Sequence, residues 1–164
     1  MEILRGAAYR FGNNIDTDQI YPGRYLELTE HTEIGQHAME GADPSFPGRF
    51  KRGGFIVAGS NFGCGSSREH AVITLKNAGV VAVLAKSFAR IFFRNCINLG
   101  LPTIMLPKID TMNIVEGMEL ALDLDGASLL AGTQHFSFPP LSGEVLEIIR
   151  AGGVFSLYGA MARS

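Results

Sequence analysis

One stretch of the chain gathers most of its reactive side chains. Between Gly59 and Ala71 it runs Gly-Ser-Asn-Phe-Gly-Cys-Gly-Ser-Ser-Arg-Glu-His-Ala. The adjacent hydroxyls of Ser66 and Ser67 and the guanidinium of Arg68 follow a run of glycines. Before them lies an apolar run, Phe55–Ala58, with the length and composition of a buried strand. After them Ala71, Leu75 and Ala78 recur at helical spacing, and Gly79 supplies a stop. A strand, a glycine loop and a helix in that order present unpaired N–H groups at the helix N-terminus, where an anion can sit. Ser66 then has two readings. Ser66-Ser67-Arg68-Glu69 fits a capping box, in which the Ser66 hydroxyl and the Glu69 carboxylate satisfy two orphan N–H groups. Capping leaves Ser67, Arg68 and the upstream glycines without a role. A carboxylate ligand gives them one: Arg68 and the N–H groups hold its oxygens, and Ser66 faces the reacting carbon. Serine is a poor base in water, but a helix N-terminus carries about half a positive charge. With Arg68 beside it and water excluded, an alkoxide becomes accessible.

Other chemistries fail on specific positions. A dinucleotide fingerprint needs glycine where Arg68 stands, and a Walker A loop needs a lysine that the segment lacks. Neither Ser60 nor Ser66 has glycine two residues away on both sides, so there is no nucleophile elbow. His31, His37, His70 and His135 lack zinc-ligand spacing, and Cys64 and Cys96 are too few to hold an iron–sulfur cluster.

The elements that must position this loop follow from periodicity and turn residues. Residues 2–11 form a first strand, ended by Gly12-Asn13-Asn14. The next segment, Ile15 to Leu26, is crowded with side-chain acceptors, including Asp16 and Asp18. A short helix is expected over 29–41, and an ordered loop or flap over 42–54. Val80–Ala85 is a second apolar strand, Ser87–Asn98 a helix closed by Gly100 and Pro102, and Thr103–Leu106 a third strand. Strands alternating with helices predict parallel crossovers. Beyond them, Met118–Leu124 alternates and Asp125-Gly126 signals a hairpin. Ser142 caps a last helix that Gly152-Gly153 stops near Ala151. The expected class is therefore α/β, mainly parallel, with a separate antiparallel element sharing the core.

At 164 residues the chain is expected to be a single domain spanning 1–164. A net charge of −2 gives no basic face for nucleic acid. No apolar stretch approaches the ~20 residues that span a bilayer, so no membrane association is expected. The start lacks the basic-then-apolar layout of a signal peptide, and two cysteines make no disulfide framework. The default is a cytoplasmic, reduced protein.

At these residues the chain resembles the small subunit of 3-isopropylmalate dehydratase, the swivelling domain of the aconitase superfamily. The resemblance rests on Asp16-Thr17-Asp18-Gln19-Ile20, on the Gly59–Ala71 loop, and on Lys86-Ser87-Phe88-Ala89-Arg90-Ile91 with Gly100-Leu101-Pro102 behind it. It implies a three-layer β/β/α fold with a mainly parallel central sheet and a smaller antiparallel one. It also implies a hydro-lyase that isomerises a hydroxy-acid by dehydration and rehydration, active only with a large subunit as a heterodimer or heterotetramer. The large subunit is expected to carry a [4Fe-4S] cluster as Lewis acid, and no cofactor is expected on this chain. By the same resemblance Ser66 is the catalytic base, and Ser67 and Arg68 bind a substrate carboxylate. Asp18 lies at the active-site edge, paired with a histidine of the cluster-bearing part.

Asp18 also reads as a plain turn former, and Arg24 either as a second carboxylate reader or as a surface residue. His70 and Cys64 read as packed side chains, and Lys86 and Arg90 as braces or contacts to the large subunit. In relatives, the position after Tyr25-Leu26 distinguishes substrates: arginine suits a distal carboxylate, as in homoaconitate, and an apolar residue suits a branched alkyl group. Here Glu27-Leu28 departs from both. Glu27 would repel a distal carboxylate, while Leu26 and Leu28 could line an alkyl pocket. Isopropylmalate is favoured. The alternatives are homoaconitase, 2,3-dimethylmalate dehydratase and a citraconate or methylmalate hydratase. A different class is an anion- or nucleotide-binding module that uses the loop as a phosphate cradle.

Overall fold

The computed structural model describes residues 3–163, with side chains through 159. Its centre is a seven-stranded sheet in the order β4-β3-β2-β1-β5-β6-β7. The strands are β1 (Leu4–Arg10), β2 (Phe55–Ala58), β3 (Ala82–Ala85), β4 (Thr103–Met105), β5 (Glu119–Asp123), β6 (Ser128–Ala131) and β7 (Gln134–Ser137). β1 pairs with β2, β2 with β3 and β3 with β4, all parallel. On its other edge β1 pairs antiparallel with β5, and β5-β6-β7 continue as a meander. The parallel and antiparallel parts expected from sequence are thus joined through β1.

Both β2 and β3 are buried at every residue. That burial accounts for their unbroken apolar runs, which strands covered on both faces require. Alternate residues serve opposite faces. Ala8, Phe55, Val57, Ala82, Leu84, Leu120 and Leu122 point into one cluster. Tyr9, Ile56, Ala58, Val83 and Ala85 point into a second. The second cluster is closed by α4 (Glu69–Ala78) through Ala71, Val72 and Leu75, and by α5 (Arg90–Asn98) through Phe92 and Cys96. The first takes Ile149 from α6 (Gly143–Ala151). There are two cores, one on each side of the sheet, where one was expected.

Gly79 ends α4 at φ +96°, a left-handed cap, and Ser142 caps α6 by accepting from the Val145 N–H. In the last turn of α4, Lys76 Nζ donates to the Leu99 carbonyl at 2.5 Å and lies 3.4 Å from the Gly152 carbonyl. One cation thereby meets the C-terminal ends of α5 and α6, where helix carbonyls are unsatisfied and the dipole is negative.

Several elements differ from the sequence reading. The acceptor-rich segment contains a one-turn helix, α1 (Thr17–Ile20), and the helix expected over 29–41 contracts to α2 (His31–Gly35). The flap contains another single turn, α3 (Phe46–Arg49). A further helix, α7 (Val154–Arg163), follows Gly153. β7 was not anticipated, because Gln134-His135-Phe136-Ser137 is an edge strand exposed along most of its length.

Candidate active site

The three segments singled out by sequence follow β1, β2 and β3 and therefore emerge at the same, carboxyl, end of the parallel strands. Ligands of open α/β sheets bind at that end. Backbone hydrogen bonds lace the segments together. Gly63 N–H donates to Ile15 O at 2.7 Å and Thr17 N–H to Cys64 O at 2.8 Å, while Phe62 N–H donates to Ser87 O at 3.1 Å and Ala89 N–H to Phe62 O at 3.0 Å. The glycine loop is the middle strip of three.

Two of its glycines are held at positive φ, Gly63 at +85° and Gly65 at +92°. At Gly63 a β-carbon would lie 2.1 Å from Cγ of Phe92, so the absence of a side chain lets the loop close on α5. The helix starts late: Arg68, not Ser66, is the N-cap of α4, extended at φ −138° and ψ 117°, with no side-chain cap. The capping box expected from Ser66 and Glu69 is therefore not formed. The helix begins at Glu69, two residues too late for the Ser66 hydroxyl to reach its first free N–H groups. Ser66 and Ser67 are both exposed.

They open on a cleft of about 370 Å³, within the range of small-molecule sites. Thr17, Gly63, Gly65, Ser66, Ser67 and Arg68 line it together with Ala89, Arg90, Ile91, Phe92 and Asn95 from α5 and its N-cap. No carboxylate lines it.

Arg68 Nη1 lies 3.3 Å from Asp18 Oδ1 and 3.4 Å from the Tyr21 carbonyl. The same Asp18 oxygen accepts the Gly23 N–H at 2.8 Å. Asp18 stands on α1, whose own ends are closed by a capping box: Asp16 Oδ1 accepts from Gln19 N–H, and Gln19 Oε1 accepts from Asp16 N–H. The pattern Asp-x-x-Gln announces this box in the sequence, where it was missed. The Gly23 N–H, then the Arg68 guanidinium, hold the Asp18 carboxyl below its ordinary value. Asp18 is thus a turn former as well as a partner of Arg68.

Arg24 and Glu27 stand outside the cleft lining. Arg24 Nη2 donates to Glu40 Oε1 at 2.8 Å, and its guanidinium lies 4.7 Å from the centre of the Tyr25 ring. Glu40 also accepts from Tyr25 OH at 2.6 Å and contacts His37 Nδ1 at 2.7 Å. Burial raises the Glu40 pKa, but these hydrogen bonds outweigh it and hold the group below its ordinary value. Glu27 is exposed, and Leu26 and Leu28 do not reach the cleft; Ile91 and Phe92 provide its apolar surface instead. The segment is still close by. A β-carbon on Gly23 would come within 3.3 Å of Asp18 Oδ1 and 3.7 Å of Arg68 Nη2.

His70 stacks on Tyr21 with ring centres 5.6 Å apart, as a packed histidine would. Lys86 Nζ lies 3.1 Å from Asp110 Oδ2, which makes it a brace. Cys96 is wholly buried, and burial pushes its thiol up to about 12 despite the Thr103 contact. Cys64, half-buried, is the one thiol in the loop. A single thiol does not fit a four-iron cluster.

Residues 4–109 match the model of the aconitase C-terminal domain family. The chain is 48% identical over 157 residues to 3-isopropylmalate dehydratase small subunit 1 of Methanopyrus kandleri, covering 95% of this chain and 92% of that protein. It is also 48% identical over 158 residues to the methanogen homoaconitase small subunit of Methanothermobacter thermautotrophicus, covering 95% and 91%. A crystal structure of 3-isopropylmalate dehydratase from Methanocaldococcus jannaschii superimposes with a TM-score of 0.91 at 43% identity, covering 98% of this chain and 96% of that one.

Proposed function

The chain belongs to the aconitase C-terminal domain family, and we propose that it is the small subunit of a hydro-lyase that interconverts 2-isopropylmalate and 3-isopropylmalate in leucine biosynthesis. The observation that carries this reading is the Ser66-Ser67-Arg68 run, with both serines exposed and Arg68 half-buried, in the lining of a cleft that no carboxylate lines. In the proposed mechanism Ser67 and the Arg68 fork bind one carboxylate of the hydroxy-acid, a pairing that a planar guanidinium makes bidentate. Asp18 and the Tyr21 carbonyl take Nη1 of Arg68, which turns the remaining donors toward the ligand. Ser66 removes the proton from carbon and returns it to the alkene intermediate from the same position. The positive charge of Arg68 and the first N–H groups of α4 stabilise its alkoxide.

Elimination also requires an acid on the leaving hydroxyl, which the proposal assigns to a [4Fe-4S] cluster on a large subunit. This chain alone is then inactive, and the two subunits form a heterodimer or heterotetramer.

Homoaconitase is the second reading, supported by the similarity to the methanogen protein. Glu27 is exposed and outside the cleft lining, so the choice between the two substrates rests on the assay. Reconstitution with the cognate large subunit, followed by assays of isopropylmalate, homoaconitate, citraconate and dimethylmaleate, decides among them. Turnover of isopropylmalate alone is expected. Micromolar nucleotide binding by the isolated chain, with no turnover in the complex, would replace the enzyme reading by an anion-binding module.

A further inference from the structure

Among the described residues the buried polar side chains are all threonines: Thr17, 3% exposed, and Thr74 and Thr103, both 0% exposed. Main-chain carbonyls satisfy two of them. Thr74 Oγ1 donates to Ile34 O at 2.6 Å, and Thr103 Oγ1 donates to Leu101 O at 2.9 Å. The hydroxyl of Thr17 makes no hydrogen bond among the described residues. Buried polar groups are paired as a rule, and an exception calls for a partner from elsewhere.

The surroundings of Thr17 indicate where that partner would come from. Thr17 is the first residue of α1, and its N–H is taken by Cys64 O at 2.8 Å. The bond seats Thr17 against the glycine loop: a β-carbon on Gly65 would lie 3.6 Å from Thr17 Oγ1. No side-chain oxygen among the described residues is both sealed from solvent and unpartnered. Thr17 Oγ1 therefore keeps an opening, and the surface that Thr17 borders is the cleft it lines with Gly65, Ser66, Ser67 and Arg68. A hydroxyl can donate or accept. The lining includes the guanidiniums of Arg68 and Arg90 and no carboxylate, so it suits an anion, toward which the hydroxyl acts as a donor.

We propose that Thr17 is a further substrate-binding residue, its hydroxyl donating a hydrogen bond to a carboxylate oxygen of the ligand in this cleft. The inference rests on the hydroxy-acid reading given above. It makes a specific claim about the side-chain oxygen. Valine has nearly the shape of threonine, so it would keep the packing under the loop and remove only the donor.

The experiment compares the parent complex with complexes carrying Thr17→Val or Thr17→Ser. Urea midpoints of the full chain and affinity for the large subunit are measured first, then kcat and KM for isopropylmalate. Thr17→Val is expected to leave the midpoint unchanged or raise it, because an unpaired buried hydroxyl contributes nothing to the fold. Its KM should rise roughly 10- to 100-fold, as when one hydrogen bond to a charged group is lost, with kcat little changed, the pattern of a contact made equally in ground and transition states. Thr17→Ser restores the hydroxyl and should recover most of the lost affinity. A KM for Thr17→Val equal to the parent's overturns the proposal. So does an equal loss in Thr17→Ser, which would make the methyl the important group. A fall in kcat at unchanged KM also overturns it, because the hydroxyl would then act on the chemical step, as does a loss that tracks a lowered midpoint or weakened assembly. Failure of the hydroxy-acid reading looks different: the parent complex itself would not turn over isopropylmalate, and the proposal would fall with that reading.

Discussion

Arg68 and Asp18 lie fifty residues apart in the chain, yet Arg68 Nη1 sits 3.3 Å from Asp18 Oδ1. The carboxylate is 68% exposed and the guanidinium 22%. An ion pair this open to solvent adds about 0–1 kcal/mol to stability, so its importance lies in aiming the guanidinium. Asp18→Asn and Arg68→Lys should each lower kcat/KM of the reconstituted enzyme, and the double variant should be little worse than Arg68→Lys alone. Losses that simply add would show that the two residues act independently.

Ser66 is exposed and makes no cap, so its removal has little to destabilise. Ser66→Ala should fold and assemble normally while turnover falls by roughly 10²–10⁴-fold, the range for a lost general base. Near-parent turnover at unchanged assembly would remove the base assignment.

The two glycines of the loop should respond differently to alanine. At Gly65 the added methyl meets Asp16 Cβ at an ordinary 3.4 Å, and only the positive φ is costly, about 1–2 kcal/mol. At Gly63 it would lie 2.1 Å from Phe92, so the ring must move as well. Gly63→Ala should therefore cost about 2–5 kcal/mol. Urea denaturation of the two variants measures the difference, and equal midpoints would contradict the close approach.

Glu40 ties Arg24, Tyr25 and His37 together, and its folded pKa lies below the ordinary 4.5. A depressed carboxylate contributes stability that is present above its unfolded pKa and lost as pH falls through the folded value. Glu40→Gln should cost about 1–3 kcal/mol near neutrality, and the gap to the parent should close below pH ~4.5. Denaturant titrations at several pH values test this. A gap that stays constant into acid would show that the charge of Glu40 contributes nothing.

The regular elements were legible wherever local signals agreed with burial. Phe55–Ala58 and Ala82–Ala85 are apolar throughout because both faces are covered, and Gly79 and Ser142 mark helix ends through their own backbone and side-chain chemistry. Signals that depended on a neighbour misled. Ser66 and Glu69 have the spacing of a capping box, but the backbone at Arg68 stays extended, so the helix starts beyond their reach. A real box at Asp16 and Gln19 was hidden by the shortness of its helix.

The residue types of Ser66, Ser67 and Arg68, their place after a strand, and their order among three linked motifs are properties of the sequence alone. They were enough to indicate the family and its chemistry. Which groups share a cleft was decided only by the sheet. The parallel pairing of β1, β2 and β3 delivers three distant segments to one end, and backbone hydrogen bonds fix their spacing. That arrangement directs Asp18 to Arg68, draws Arg24 away to Glu40, and places Arg90 and Ile91 in the lining of the same cleft. Spacing along the chain carries no information about such distances, because they depend on how strands pair and on what each side chain then finds to bind.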